Sequence, residues 1–550
     1  MGANRSPSHQ RLFTMRNPFA RCVLFAVVLL ILLGVTWKSD RIENVGTKII
    51  KATATHNKES NIPQQQQPLS DAPQAGNLDI APVSDHSMDC RVDGNYMAQL
   101  KGKYELMDGF QYFKRYVKIN RQPIRRKSIT KLDQEFLPGN LLKAIDLTNP
   151  NFGNEKCVEP LNVYVPESPY PATGNLSDFM FGVSTTFKRF SGEKTSPVNE
   201  WIYWLTDGKG HSNGGKLILL LLDATEEQIT HARTVLRDAG IDVDVYHSDS
   251  TMEMAVRYLT LIPTLYNHPE RQHKKWLVSC DDDTFFPSVH NLVQKFEDYD
   301  ATQQLYIGVL SEDINNVDRH GSQAFGGAGV FLSVPLAEEI TRNYETCKTD
   351  EKIKESNSGW GPQGDILLRK CIYENSDVRL SVLHGLYQLD LYGDPSGFYE
   401  SGISPISLHH FKGGGWHSAM PWEYTKIAHI CGEDCTLQRF QTADDFIIST
   451  GFSVAHYPMG VDFNLQQMER TFAAAPQDKG WNLDYVFDPQ RPSLLKTGRK
   501  ISWDLQEATV TPDNTVRQVY VRKANDWRWV DKNERPMSQV DGIIELVWIP

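Results

Sequence analysis

Apolar residues along this chain change their period several times, and each change marks an element. DFMFGVSTT (178–186) and KLILLLLD (216–223) are near-continuous apolar runs closed by polar residues. Runs of that kind read as strands buried on both faces. ATEEQITHARTVLRDAG (224–240) switches to a helical period, with Gly240 as its stop. IDVDVYHS (241–248) is another strand. MEMAVRYLTLIPTLYN (252–267) is helical until Pro263 disturbs it, and KKWLVSC (274–280) is strand again. YIGVLSED (306–313) reads as a strand leaving the same sheet. Strand, helix, strand, helix, strand predicts a parallel sheet covered on both faces, over residues 176–420. In such sheets ligands bind beyond the carboxyl ends of the strands.

The flanks differ. Residues 1–21 carry four arginines and no acid, followed by CVLFAVVLLILLGVTW (22–37) without a charge. Sixteen helical residues span roughly 24 Å, enough for a thin bilayer of the early secretory route. The basic flank predicts a cytoplasmic tail (1–21), a signal anchor (22–37) and a lumenal C-terminus. A cleaved signal peptide is the rival, but Trp37 stands where small residues belong. Residues 38–88, with NIPQQQQPLSDAPQ, have little to bury and read as a disordered stem. Residues 89–175 read as an ordered N-terminal lumenal region, with the basic stretch Arg121–Ser128 as an exposed loop. Residues 421–550, including VRQVYVRK and GIIELVWIP, read as a β-rich accessory region.

Composition sharpens this. The 550 residues are 40% hydrophobic, enough for two or three domains. The formal charge is −11, and no long basic run or zinc-type Cys/His array points to nucleic acid. Cys22 lies in the apolar span and Cys280 in a strand. That leaves Cys90, Cys157, Cys347, Cys371, Cys431 and Cys435, an even set that suggests disulfides in an oxidising compartment. Short spacing favours Cys431 with Cys435 and Cys347 with Cys371. Zinc lacks the paired C-x-x-C spacing. Asn175-Leu-Ser177 is a glycosylation sequon.

The chemistry concentrates at WLVSCDDDTFF, where Asp281, Asp282 and Asp283 follow a buried strand. Adjacent carboxylates raise one another's pKa unless a positive group sits among them. A solvated turn is the bland explanation. A divalent cation is the sharper one, and it would let an acidic site accept a diphosphate. Oxygen ligands suit magnesium or manganese, and a nearby imidazole tilts the choice to manganese. AFGGAGVFLS (324–333) offers Gly326 and Gly327 for close backbone approach, or an ordinary turn. SGWGPQGDILLRKCI (358–372) puts Asp365 at a helix start, where it caps the helix or, kept ionised by the helix N-terminus, serves as a base. ISLHHFKGGGW (406–416) supplies His409 and His410. Trp360 and Trp416 could stack on a ligand's ring, with core packing the alternative.

These segments, in this order, resemble glycosyltransferase family 31, the Fringe and core-1 β1,3-galactosyltransferase group. FMFGVSTTFKR resembles its first strand, WLVSCDDDTFF its acidic strand end, and LYIGVLSED with FGGAGVFLS its following strand and glycine segment. GPQGDILL resembles its acidic helix start and SLHH its late histidine. The resemblance covers 176–416. It implies an α/β fold of GT-A type, a Rossmann-like, mostly parallel sheet flanked by helices. It also implies a UDP-sugar donor, a glycan or glycoconjugate acceptor, Mn2+ (Mg2+ possible), and inversion to a β-linkage, β1,3 in the family. Carried over, Asp365 would be the catalytic base. Asp281, Asp282, Gly326 and Gly327 would bind the donor. Asp283, Asp281 and His409 would hold the metal, with His410 the alternative. The implied location is the Golgi membrane in type II topology, or the endoplasmic reticulum. The family usually has two acids at the helix start; here Gln363-Gly364 precede a single Asp365. A silent sugar-nucleotide or glycan-binding relative of the same fold is therefore a second reading. A metal-dependent phosphodiester hydrolase is a third.

Overall fold

A computed structural model describes residues 88–550, apart from 141, 149–156, 414, 474–485, 488–490, 493 and 495–496. All described residues fall in one compact unit, Pro82–Pro550. The expected tail, anchor and nearly all of the stem lie outside them. Among the described residues no helix is long and apolar enough to cross a membrane.

Seven strands form the sheet that carries the acidic turn. They are β1 (Phe179–Thr186), β2 (Lys216–Leu222), β3 (Asp242–His247), β4 (Trp276–Ser279), β5 (Tyr306–Gly308), β6 (Val330–Ser333) and β7 (Leu380–Val382). Their order is β7-β5-β6-β4-β1-β2-β3. β1 runs parallel to β2 and β4, β2 to β3, and β5 to β7. β6 is antiparallel to both of its neighbours. This is the mostly parallel, Rossmann-like α/β sheet flanked by helices that the sequence led one to expect.

The apolar runs are continuous because both faces are covered. Phe181 and Val183 of β1 face one side with Leu217 and Leu219 of β2. Met180 and Ile218 face the other, against α2 (Met254–Tyr266), α3 (Val334–Arg342) and α4 (Gly364–Asn375). The first crossover helix, α1 (Glu226–Asp238), opens with a capping box between Thr225 and Gln228. Gly240, at φ 89°, closes it where the sequence placed the stop.

One expectation fails in α2. The helix runs through Pro263 to Tyr266. Proline there removes a single backbone donor in the last turn. Ile262 and Leu265, both buried, hold the turn against the sheet, and the Pro263 carbonyl still accepts from Asn267 at 3.0 Å. Packing outweighs the lost bond.

The two flanking regions prove to be one structure. Gln111–Gln122 pairs in parallel with the last strand, Gly542–Ile549, from Gln111↔Gly542 to Lys118↔Ile549. These two strands belong to a ten-stranded sheet that also takes in Arg439–Gln441, Phe446–Ser449, Ser453–His456, Ile501–Val510 and Val516–Arg522. The basic stretch Arg121–Ser128 is partly exposed, but Arg126 turns inward. Its guanidinium donates to the carbonyls of Gly402, Ile403, Asp434 and Thr436 at 2.7–3.1 Å. Three disulfides form, Cys90–Cys157, Cys347–Cys371 and Cys431–Cys435, so none of these cysteines is left for zinc. Cys280 is buried and free.

Candidate metal and sugar-nucleotide site

β4 ends at Ser279, and the chain turns at once through the three aspartates. Thr284 shapes the turn: its hydroxyl accepts from the Asp281 amide at 3.0 Å and donates to the Gly327 carbonyl at 2.9 Å. Phe285 and Leu408 then exchange two backbone hydrogen bonds of 2.9 Å. That bridge brings His409 beside the acids. Its Nε2 lies 3.1 Å from Asp283 Oδ1 and 3.4 Å from Asp281 Oδ2. The ligand atoms of Asp281, Asp283 and His409 all fall within 4.8 Å of one another.

Asp282 points elsewhere. It is buried, accepts from the Thr185 hydroxyl, and forms a two-pronged pair with Arg189, whose Nε donates at 2.7 Å. Arg189 rises from the short helix Phe187–Ser191 that follows β1. So Asp282 anchors a cation at the rim, while Asp281 and Asp283 flank the imidazole.

Electrostatics follow from this split. Burial pushes the His409 pKa down, but Asp283 and Asp281 outweigh it and hold the ring well above its ordinary range. Burial pushes Asp283 up, yet His409 and Arg189 carry it well below the usual carboxylate range. The imidazolium thus occupies the position a cation would take. Two carboxylates and one imidazole are a fitting donor set for Mn2+ or Mg2+. A second acidic group, Asp244, His268 and Glu270, is already filled. Lys216 Nζ sits 2.9 Å from Asp244 and 2.7 Å from Glu270.

His410 does not share the site. Its Nδ1 lies 2.9 Å from Asp390 Oδ1, and its ring stacks on Trp416 at 4.3 Å. Of the two histidines, His409 is the one the structure places beside Asp281 and Asp283.

Asp365 is the second residue of α4. Gln363 holds the N-cap position, and makes no side-chain cap, so capping does not explain Asp365. It lines a cavity of about 450 Å³ together with Arg189, Arg257, Asp281 and Asp283. The expected ionised carboxylate is corrected: burial, then the charge of Asp281, pushes its pKa up to about 7. The Gly326 amide and the Tyr258 hydroxyl oppose the rise and lose. Desolvation outweighs the helix N-terminus here.

The glycines leave space for neighbouring side chains. A Cβ at Gly327 would stand inside the His409 ring. A Cβ at Gly326 would come within 2.5 Å of the Tyr258 hydroxyl and 3.0 Å of Asp365 Oδ1. Both residues make room for the site's own side chains. Gly364 is also explained, since a Cβ there would lie 2.5 Å from Tyr258 Cβ. The ring of Tyr258 fills the place beside the single acid. Trp360 is 65% exposed, which overturns core packing for that residue.

Sequence reasoning missed Arg189, Arg257, Tyr258 and Thr284 as site residues. Thr284 directly follows the aspartates and was within reach; the other three carry no spacing signal.

Comparison with known proteins gives three findings. Residues 315–414 match the family described as "Protein of unknown function, DUF604". No curated protein matches the chain. Among solved structures, mouse xyloside xylosyltransferase 1, in its apo form, is 11% identical, covering 38% of this chain and 85% of its own, with a TM-score of 0.26. The mannosyltransferase PcManGT from Pyrobaculum calidifontis, in complex with GDP-Man and Mn2+, is 11% identical, covering 43% of this chain and 64% of its own, with a TM-score of 0.23.

Proposed function

We propose that the chain is a metal-dependent inverting glycosyltransferase that moves a sugar from UDP to a hydroxyl of a glycan or glycoconjugate, forming a β-linkage. One observation carries this reading. The Asp281–Asp283–His409 cluster and a carboxyl poised near neutrality, Asp365, belong to one site at the carboxyl edge of a mostly parallel sheet.

Asp281, Asp283 and His409 would hold Mn2+, or Mg2+, in place of the imidazolium proton. A bound dication there supplies Lewis-acid stabilisation of charge on a departing diphosphate. Arg189 and Arg257 add positive charge along the cavity wall. Asp365, ionised above about pH 7, takes the proton from the acceptor hydroxyl. That oxygen forms its bond to the anomeric carbon as the bond from carbon to the diphosphate oxygen breaks, and the electron pair leaves with UDP. A single displacement inverts the centre. The resemblance to family 31 supports a β1,3 linkage and residence in the Golgi membrane. The three disulfides and the exposed sequon at Asn175 support a lumenal, oxidising setting.

The test uses full-length protein, Mn2+ and a panel of UDP-sugars, with UDP release followed with and without glycan acceptors. Asp283→Ala and Asp365→Ala should fold and fail to transfer. Near-normal turnover by Asp365→Ala would move the base elsewhere. The second reading, a silent binder, is favoured by the single acid at the start of α4. Mn2+-dependent hydrolysis of any UDP-sugar without acceptor excludes it.

A further inference from the structure

Two residues other than glycine adopt left-handed backbone at a single buried contact. His410 has φ 54°, and Leu389, next to Asp390, has φ 56°. Such conformations are costly for residues with a Cβ and persist where the surroundings over-determine them. The contact runs from His410 Nδ1 to Asp390 Oδ1, at 2.9 Å. Asp390 is buried, and its other oxygen is taken: Oδ2 accepts from the Ser311 hydroxyl and, at 2.8 Å, from Asn316 Nδ2. Those two bonds leave Oδ1 facing His410.

The turn at His410 decides where its neighbour's ring lies. Along an extended strand successive side chains point to opposite faces. Leu408 still bridges Phe285, but the left-handed residue two places on folds the chain back. The rings of His409 and His410 therefore come within 3.9 Å, tilted by 33°. Trp416 stacks on His410 at 4.3 Å and 7°. The glycine loop between them makes this return possible. Gly413 and Gly415 have φ 78° and 108°, and the Gly413 amide donates to the His417 carbonyl at 3.0 Å. Gly327 closes on the His409 ring as well, with no room for a Cβ beside it. These contacts fix the imidazole with Nε2 toward Asp283 and Asp281.

We propose that His410 is a positioning residue for the metal site: clasped by Asp390 and backed by Trp416, it holds the His409 imidazole where Nε2 meets a divalent cation together with Asp281 and Asp283. The inference rests on the reading of that cluster as a metal site and adds the support behind one of its ligands.

A core built for stability alone has no need of this arrangement. A buried carboxylate is costly even when paired, and apolar side chains of like volume fill such space as well or better. Two strained residues add to that cost. The side chain whose placement depends on all of it is the adjacent His409.

The experiment uses the full chain and Mn2+ alone. Calorimetry reads affinity, and pulsed electron paramagnetic resonance reads the nitrogen coupling of an imidazole bound to the ion. The wild type should bind Mn2+ and show the coupling, and His409→Ala should abolish it. His410→Ala should weaken Mn2+ binding roughly 10–100-fold and reduce the coupling. Trp416→Leu, at a half-buried position, should act in the same direction and decides the matter if His410→Ala does not fold. Lys500→Met, a destabilising change beside the ten-stranded sheet, should leave both readouts unchanged; a loss there equal to that of His410→Ala would make the effect one of stability and overturn the proposal. Wild-type affinity and coupling in His410→Ala or in Trp416→Leu overturns it too, while leaving the metal site standing. A wild type that binds no Mn2+ sinks the metal site and the proposal together.

Discussion

Replacing Asp365 by Asn should abolish transfer and stabilise the protein, and the second effect tests the site's electrostatics directly. The carboxyl's pKa rises from 3.8 to about 7 on folding. At about 1.36 kcal/mol per pKa unit, the full rise corresponds to roughly 4 kcal/mol of unfavourable burial of the charged form. The group lines an open cavity, so screening reduces this to about 2 kcal/mol. The sign follows from linkage. Between pH 4 and 7 the folded state holds a proton that the unfolded state has released, so stability falls as pH rises through this window and levels off above it. Asn keeps the oxygen that accepts from Gly326 and removes the charge. The variant should match the wild type near pH 4 and melt about 2 °C higher at pH 8, for a folded unit of this size. Mn2+ should shrink the gap, because a cation beside Asp281 removes the second cause of the rise. Thermal midpoints of both proteins from pH 4 to 8.5 decide the matter. A gap that does not grow with pH would refute the reasoning, whatever happens to activity.

The other predictions are more local. Tyr258→Phe removes a hydroxyl that lowers the pKa of Asp365, so the alkaline rise in transfer rate should move to higher pH with UDP affinity intact; an unmoved profile denies Tyr258 its positioning role. Gly327→Ala forces the His409 ring aside and should weaken Mn2+ binding roughly 10–100-fold by calorimetry, with the fold retained by circular dichroism. Lys500 is fully buried between Glu400 and Glu469. Lys500→Met should therefore cost about 3 kcal/mol, read as a lower midpoint at pH 8 that recovers partly at pH 5 as the carboxylates take up protons.

Much of the seven-stranded sheet was legible because its signals are local. An apolar run such as KLILLLLD reports its own burial, and Gly240 reports the end of its own helix. The acidic turn was legible for the same reason: three aspartates directly after a strand need a neutraliser wherever the strand goes. What escaped depends on partners far away in the chain. Gln111–Gln122 shows nothing of its pairing with Gly542–Ile549, so two halves of one sheet read as separate regions. Pro263 was overruled by packing that only the assembled sheet supplies. The ionisation of Asp365 was misjudged because the helix start is visible in sequence, while its burial beside Asp281 is not. His409 and His410 are adjacent and chemically identical; only the Phe285–Leu408 bridge and Asp390 tell them apart.

The crowding of Asp281, Asp282 and Asp283 resolves through direction. The turn at Asp281–Thr284 sends the three side chains in different directions. Asp281 and Asp283 face the imidazole together, and Asp282 takes the two-pronged pair with Arg189, whose guanidinium also lies 3.8 Å from Asp283. Each acid keeps a counter-charge, but of two kinds. Arg189 is permanent and fixed by its two-pronged pair. The proton on His409 is exchangeable, and a dication can take its place. The turn thus separates a structural neutraliser from a replaceable one within three residues. A solvated acidic loop has no need of this division. The proposed metal and diphosphate site, which has to stay folded when empty, requires it.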